Sequence, residues 1–289
     1  YMKAGQQFVL AKDKDKALEA FKQSGKAFEE WGMSKFNAAK AYENASNAAR
    51  DLKLYEECTQ LVSKSAALYR REGKADSACV MQERAAKDAE KAGRFEDAMT
   101  LYLDVVEIRE TESQLRRIKQ PLDRAIQMSI RSRKFKKTIE LLNKEATVLI
   151  SLKDDAMLHR NWLCRIIVQL AANDFGAADQ LYEEAITSSF AVSDEQFAAD
   201  QLLNAYDEAD QEKLSEVARQ QIFSFLSNDV AVLARKLEAR GGNGRSDRQS
   251  QALQEKMDAA APVPTPAKTA TPAPSTAPSE VVSAADEPE

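Results

Sequence analysis

Helix breakers, sulfur and imidazole are scarce in this chain of 289 residues, which holds nine Gly, eight Pro, three Cys and one His. Average usage at this length would be roughly 20 Gly and about 14 Pro. A turn-rich all-β fold is therefore a poor reading. The single His159 excludes a metal site built on histidines and leaves no spare base for a Ser-His-Asp triad. Cys164 follows it by five residues, and on a helix that spacing sends the two side chains in diverging directions, against a Cys-His nucleophile. Cys58, Cys79 and Cys164 are odd in number and lack a CxxC spacing, so they read as reduced, packed thiols of a cytosolic protein. No run of 18 apolar residues is present, so no membrane-spanning helix is expected. The start, Tyr1-Met2-Lys3, carries neither a signal-peptide hydrophobic region nor a leading methionine, and reads as that of a fragment. A G-x-x-x-x-G-K-[ST] phosphate loop is lacking, and the Gly241-Gly242-Asn243-Gly244 cluster follows a helical pattern where a nucleotide motif would follow a strand. No cofactor, metal or catalytic residue is expected, and the chain reads as non-enzymatic.

What the chain does hold is a repeat. Tyr55-Glu-Glu-Cys58, Phe95-Glu-Asp-Ala98, Phe135-Lys-Lys-Thr138 and Phe175-Gly-Ala-Ala178 superpose at a spacing of 40 without a gap. Leu61, Leu101, Leu141 and Leu181 follow in register, then Val62, Tyr102, Leu142 and Tyr182. Aromatic, small and large apolar residues at i, i+3, i+6 and i+7 line one stripe of a helix. A second helix precedes each of these, marked by Tyr42, Gln82, Leu122 and Trp162, with Ala45, Ala85, Ala125 and the less comfortable Arg165 three residues on. Short turns at 51–53, 91–93, 131–133 and 172–174 join the pairs. The unit is a helical hairpin with the second half of a tetratricopeptide pattern, 40 residues long where that repeat has 34. One such hairpin cannot bury its stripe alone, so the units stack.

The expected fold is an all-α, TPR-like α-solenoid of ~40-residue helical hairpins with a C-terminal helical bundle and a disordered tail. Its parts are a hairpin solenoid over 1–192, a helical bundle over 193–240, and an Ala/Pro-rich tail over 241–289 that holds seven of the eight prolines. Asp15–Trp31, with Ala17, Leu18 and Phe21, reads as the second helix of an incomplete first unit. Helices are expected over Asp194–Tyr206, Asp210–Phe225 and Asn228–Arg240, and Pro121 as a bend early in a helix. The tail has too few large apolar groups to offset its ordering entropy.

Charge is unevenly spread. Residues 115–144 hold Arg116, Arg117, Lys119, Arg124, Arg131, Arg133, Lys134, Lys136, Lys137 and Lys144 against Asp123 and Glu140, a net of +8. Residues 193–216 hold eight acids against Lys213, a net of −7. A basic middle suits an acidic partner and an acidic end a basic one. Nucleic acid is not expected as a partner, because the basic stretch lacks interleaved aromatics and a groove-reading motif.

Several segments in this order resemble one family. They are Ala38-Ala-Lys-Ala-Tyr-Glu43 with Leu54-Tyr-Glu-Glu-Cys58, Arg131-Ser-Arg-Lys-Phe135, Asn173-Asp-Phe-Gly-Ala-Ala178, Gln201-Leu-Leu-Asn-Ala-Tyr-Asp207 and Phe223-x-Phe-Leu-x-Asn-Asp229. Over about 1–240 the chain is similar to the soluble NSF attachment proteins, the gamma type above all. The resemblance implies an adaptor of vesicle-mediated transport, cytoplasmic and peripherally associated with membranes. Such adaptors coat the SNARE complex and recruit the hexameric AAA ATPase, N-ethylmaleimide-sensitive factor, which hydrolyses ATP to take the complex apart. It places SNARE-contacting cations at Lys74 and Arg124, and the charge count adds Arg116, Arg117, Arg131 and Arg133. It maps the ATPase-facing end onto Asp207, Glu208, Asp210 and Glu212. The family's N-terminal membrane-touching loop is missing, which implies that peripheral membrane contact belongs to a missing N-terminus. The family's leucine near the end is missing too, the last being Leu253, which leaves stimulation of the ATPase open. Apart from the resemblance, the repeat also suits a scaffold subunit or a peptide-binding repeat protein unrelated to SNAREs.

Overall fold

A computed structural model describes residues 1–32, 34–241 and 244. Helices α1 (Met2–Leu10) and α2 (Lys14–Glu30) lead into eight more: α3 (Lys35–Asp51), α4 (Tyr55–Arg71), α5 (Ala75–Lys91), α6 (Phe95–Thr111), α7 (Leu115–Arg131), α8 (Phe135–Leu152), α9 (Asp155–Ala171) and α10 (Phe175–Ala185). A short 3₁₀ turn (Ser189–Val192) precedes α11 (Asp194–Asp207), α12 (Gln211–Val217), α13 (Gln221–Ser224) and α14 (Asn228–Arg235). No strand occurs among the described residues. Tyr1–Ser246 form one compact unit; Asp247–Glu289 lie outside the described residues, and with them nearly all of the tail expected to be disordered.

The repeat is built on a shorter period than 40. A left-handed backbone residue ends a helix at Lys12, Gly32, Lys53, Gly73, Gly93, Ser113, Arg133, Lys153 and Asn173, so the chain reverses about every 20 residues. At each reversal from α3 onward the following amide donates to a carbonyl five residues back, as in Leu54 N to Ala49 O (2.9 Å), Lys74 N to Tyr69 O (2.9 Å) and Arg94 N to Ala89 O (2.9 Å). These bonds satisfy carbonyls orphaned at the helix end and set the entry of the next helix. Helices α4 to α8 begin at Leu54, Lys74, Arg94, Gln114 and Lys134, whose side chains supply no cap, so the preceding reversal defines their start.

From α1 to α12 each helix packs on the next, and the expected stripe is the core: Leu61, Leu101, Leu141 and Leu181, with Val62, Tyr102, Leu142 and Tyr182, are all buried. Ala98, Thr138 and Ala178 are sealed, which lets neighbouring helices approach. The aromatic that opens an even-numbered helix is covered by a later element. Arg94 lies 4.1 Å over the Tyr55 ring, Arg131 5.7 Å over Phe95, and Phe175 stacks on Tyr206 at 5.8 Å. Cys79 is buried, and Cys58 and Cys164 pack half-buried against the core.

Two expectations need correction. The single helix over Asp210–Phe225 is two, α12 and α13, because Gln220 turns extended (φ −59°, ψ 152°) and its side chain pairs with Gln201 at 2.7 Å. Asn228–Arg240 ends as a helix at Arg235. Beyond it the Gln211 side-chain amide donates to the Leu237 carbonyl (3.1 Å) and accepts from the Ala239 amide (2.8 Å), holding that irregular stretch against α12. Pro121 lies, as expected, in the first half of a helix: it is buried inside α7, which runs on to Arg131.

Candidate functional site

The loops fall on two edges. The odd-numbered helices from α3 begin at one edge, where Lys74, Arg116 and Arg117 sit, and end at the other, where Arg131 and Arg133 sit. A helix of 17 residues separates the edges by about 24 Å. The six basic candidates are therefore not one patch, and Arg124 lies midway along α7.

Three of them share a stripe. Arg117, Arg124 and Arg131 follow each other at seven-residue steps along α7 and face carboxylates of α5. Arg117 reaches Asp76 at 3.1 Å, and Glu90 receives Arg131 at 3.3 Å and Arg124 at 3.7 Å. Asp76 also accepts a short bond from the buried Arg109, whose guanidinium is the main cause that holds the Asp76 carboxyl below its ordinary range. Arg131 has a second partner in Asp229 of α14, at 2.9 Å. These guanidiniums bridge α5 to α7 and α14 to α7. The heptad step was a signal available in the sequence, but their partners depend on packing across units.

The other three stand free of carboxylates among the described residues. Lys74, exposed before α5, lies 3.8 Å over the Phe36 ring. Arg116 is exposed at the start of α7, and Arg133 is exposed in the left-handed turn after it. Lys136 adds an exposed cation beside Arg133.

The acidic candidates come together on the turn between α11 and α12. Glu208, Asp210 and Glu212 are exposed and Asp207 is half-buried. Asp210 caps α12 by accepting from the Lys213 amide at 2.9 Å, Glu208 pairs with the Lys213 ammonium at 2.9 Å, and Asp207 accepts from the Gly244 amide at 3.2 Å. Acids in the first turn suit the positive end of a helix dipole.

Grooves open between odd-numbered helices, two of them beside the candidate residues. One lies between α3 and α5 over α4, with a volume of about 450 Å³. The other lies between α7 and α9 over α8, with about 590 Å³, and Phe225, Leu226, Ser227 and Val230 form part of its wall. Its floor carries a carboxylate pair. Burial, foremost, raises the Glu145 and Asp123 carboxyls above their ordinary range. Asn161, buried, donates to Glu145 at 2.9 Å and to the Leu142 carbonyl at 3.0 Å. His159 pairs with Ser189 at 2.9 Å. Among the described residues no group of three or more His, Cys, Asp or Glu is placed to hold a metal, and no helix is long and apolar enough to cross a membrane.

A family model described as "Soluble NSF attachment protein, SNAP" matches residues 1–225. A gamma-soluble NSF attachment protein of Dictyostelium discoideum is 30% identical over 201 residues, which are 69% of this chain and 62% of that protein. One of Arabidopsis thaliana is 27% identical over 238 residues, 82% of this chain and 81% of that protein. The chain thus spans less than two thirds of the length of the first relative. Among solved structures, the apo form of RapI aligns at 14% identity with a TM-score of 0.38, over 87% of this chain and 74% of that one, too loose a likeness to bear on the fold.

Proposed function

The chain belongs to the soluble NSF attachment protein family, and from this membership we propose that it is an adaptor of vesicle-mediated transport that holds a SNARE complex and recruits the hexameric AAA ATPase to it. The adaptor works from the cytoplasmic side as a peripheral protein and is not itself an enzyme; ATP is hydrolysed by the partner. The match over residues 1–225 carries the reading. The free cations support it: Lys74 and Arg116 on one edge and Arg133 on the other suit the acidic surface of a SNARE bundle. The paired Arg117, Arg124 and Arg131 tie α5 to α7 and so hold the units that carry these cations beside each other. The acidic turn with Glu208, Asp210 and Glu212 faces the ATPase in this reading. Exposed charges of this kind govern association rate and salt sensitivity more than final affinity.

A pull-down of purified chain on assembled SNARE complex, with and without the ATPase, at low and high salt, tests the proposal. Binding is expected at low salt, falling at least about tenfold when Lys74, Arg116 and Arg133 are all reversed to Glu, since each lost contact in a charged interface is worth roughly 1 kcal/mol. Salt-insensitive binding, or no binding to assembled SNAREs, would sink it.

A further inference from the structure

The groove between α7 and α9 has a counterpart two units upstream, between α3 and α5, and the two match residue against residue at a spacing of 80. In the upstream groove the Glu43 carboxylate is neutralised. It pairs with Lys40 at 3.1 Å and accepts from the Tyr69 hydroxyl at 2.8 Å. In the α7–α9 groove Asp123 stands at the place of Glu43, but Gln120 stands for Lys40 and Leu149 for Tyr69. Both neutralising groups are gone. Glu145 stands for Ser65 and adds a second carboxylate, and Asn161 stands for Met81 and adds an amide.

These four differences gather acceptors that the chain does not answer. Among the described residues neither carboxylate pairs with a cation; Gln127 donates to Asp123 at 3.1 Å and Asn161 to Glu145 at 2.9 Å. Asn161 is 3% exposed, and its amide nitrogen also donates to the Leu142 carbonyl at 3.0 Å. Those two acceptors fix which end of the amide is which, so the atom left over is the oxygen. Oδ1 of Asn161 is buried and accepts no bond among the described residues. A buried acceptor without a donor is costly unless something supplies one. The nearby cations are engaged elsewhere: Lys119 with Asp154 at 3.1 Å, Arg124 with Glu90 at 3.7 Å and Arg160 with Glu195 at 3.7 Å. Arg116 is exposed at the rim.

We propose that the α7–α9 groove binds a primary alkylammonium, the chemistry of a lysine side chain or of a free aliphatic amine. An ammonium carries three donors and no acceptor. It meets Asp123 of α7, Glu145 of α8 and the Asn161 oxygen of α9, while its stem lies along Leu149, Met157 and Phe225. Three acceptors on three helices suit a compact ammonium better than the flat fork of a guanidinium, which favours the edge of one carboxylate. Burial raises both carboxyls above their ordinary range, so a bound cation also relieves the charge that the groove now carries unpaired. The volume of about 590 Å³ holds head and stem together. The site uses none of the residues assigned to the SNARE complex or the ATPase, and its assay contains neither, so each reading fails or stands by itself.

The probe is pentylamine, protonated at neutral pH, titrated into the full chain by calorimetry at constant ionic strength, with pentanol as the uncharged control. Saturable binding in the millimolar range is expected for the amine and none for the alcohol. Glu145→Gln and Asp123→Asn, which keep the shape of the groove, should each weaken it about tenfold, as loss of a charge-assisted bond does. Gln120→Lys, at an exposed position, rebuilds the pairing that Lys40 makes upstream and should abolish binding by filling the site from within. Lys40→Gln, in the other groove, should change nothing. A capped Gly-Lys-Gly tripeptide separates the two sources. Binding as tight as that of the amine assigns the ligand to a lysine of a partner protein, and binding of the amine alone assigns it to a small amine. No saturable binding of either, equal binding of the alcohol, or binding indifferent to Glu145→Gln, Asp123→Asn and Gln120→Lys overturns the proposal.

Discussion

Arg131 and Asp229 lie 98 residues apart in the chain and meet at 2.9 Å, Nε to Oδ1. The contact joins the last residue of α7 to the first turn of α14, and Arg131 keeps a second hold on Glu90 at 3.3 Å. Asp229 is largely covered, its side chain 15% exposed. Asp229→Ala removes one of two partners of a half-covered guanidinium and should cost about 1 kcal/mol. Amide exchange should quicken across α14 while α3 to α6 stay unchanged. Equal quickening throughout the chain would mean that the contact does not anchor α14 locally.

Two helical glycines should respond to alanine with opposite signs. A Cβ on Gly25 would come within 2.6 Å of the Tyr42 ring, which is buried and fixed by bonds from its hydroxyl to Glu29 and from Lys64. Gly25→Ala should destabilise by roughly 1–3 kcal/mol, the usual range for overpacking. A Cβ on Gly176, near the start of α10, would meet only the Asp174 carboxylate at 4.0 Å. Gly176→Ala should therefore stabilise, by up to about 1 kcal/mol, through helix propensity. Calorimetric melting of both variants decides it, and a shared sign would refute the packing argument.

The 40-residue period was legible because Leu61, Leu101, Leu141 and Leu181 repeat in side-chain identity. The 20-residue reversals beneath it were only partly legible. Glycine marks them at Gly32, Gly73 and Gly93, but Lys12, Lys53, Ser113, Arg133, Lys153 and Asn173 take the same left-handed backbone, and most of those side chains do not advertise a turn. The backbone bond that closes each reversal, together with the packing of the two helices it joins, outweighs the local preference of its residue. Composition likewise located the basic stretch and the acidic turn. It could not divide the arginines into those bound to Asp76 and Glu90 and those left exposed, since that depends on which face of α7 meets α5. The grooves beside the candidate residues stayed hidden for the same reason: their walls come from three helices and, in one case, from a segment about 60 residues further along the chain.

Those left-handed positions carry their own test. Lys153 is exposed, ends α8 at φ 56° and makes no side-chain bond that the turn needs. Relief of the left-handed penalty of about 1–2 kcal/mol, offset by roughly 0.5–1 kcal/mol for the added freedom of glycine when unfolded, leaves Lys153→Gly more stable. Chemical denaturation should show a higher midpoint with an unchanged slope. A lower midpoint would mean that the lysine stem packs against the turn more than its exposure suggests.

Glu145 offers a pH-dependent prediction. Burial is the largest influence on its carboxyl and raises it; the Asp123 charge raises it further, while the bond from Asn161 and the Lys119 charge pull it down without reversing the direction. In the unfolded chain the group titrates in the ordinary carboxylate range. Between that range and its raised folded value, the folded protein binds more protons than the unfolded one, so stability falls as pH rises through that window and levels off above it. Glutamine imitates the protonated form and can still accept from the Asn161 amide, which lies 2.9 Å from the present carboxylate. Glu145→Gln should therefore melt higher than the parent chain at neutral pH, with the gap closing as pH drops below the ordinary carboxylate range. Asp123→Asn should act in the same sense, because burial also dominates at Asp123 and raises its carboxyl. A Glu145→Gln protein that melts lower at neutral pH would show that attraction to Lys119 outweighs the cost of burying the charge, and would reverse the sign assigned to this carboxylate pair.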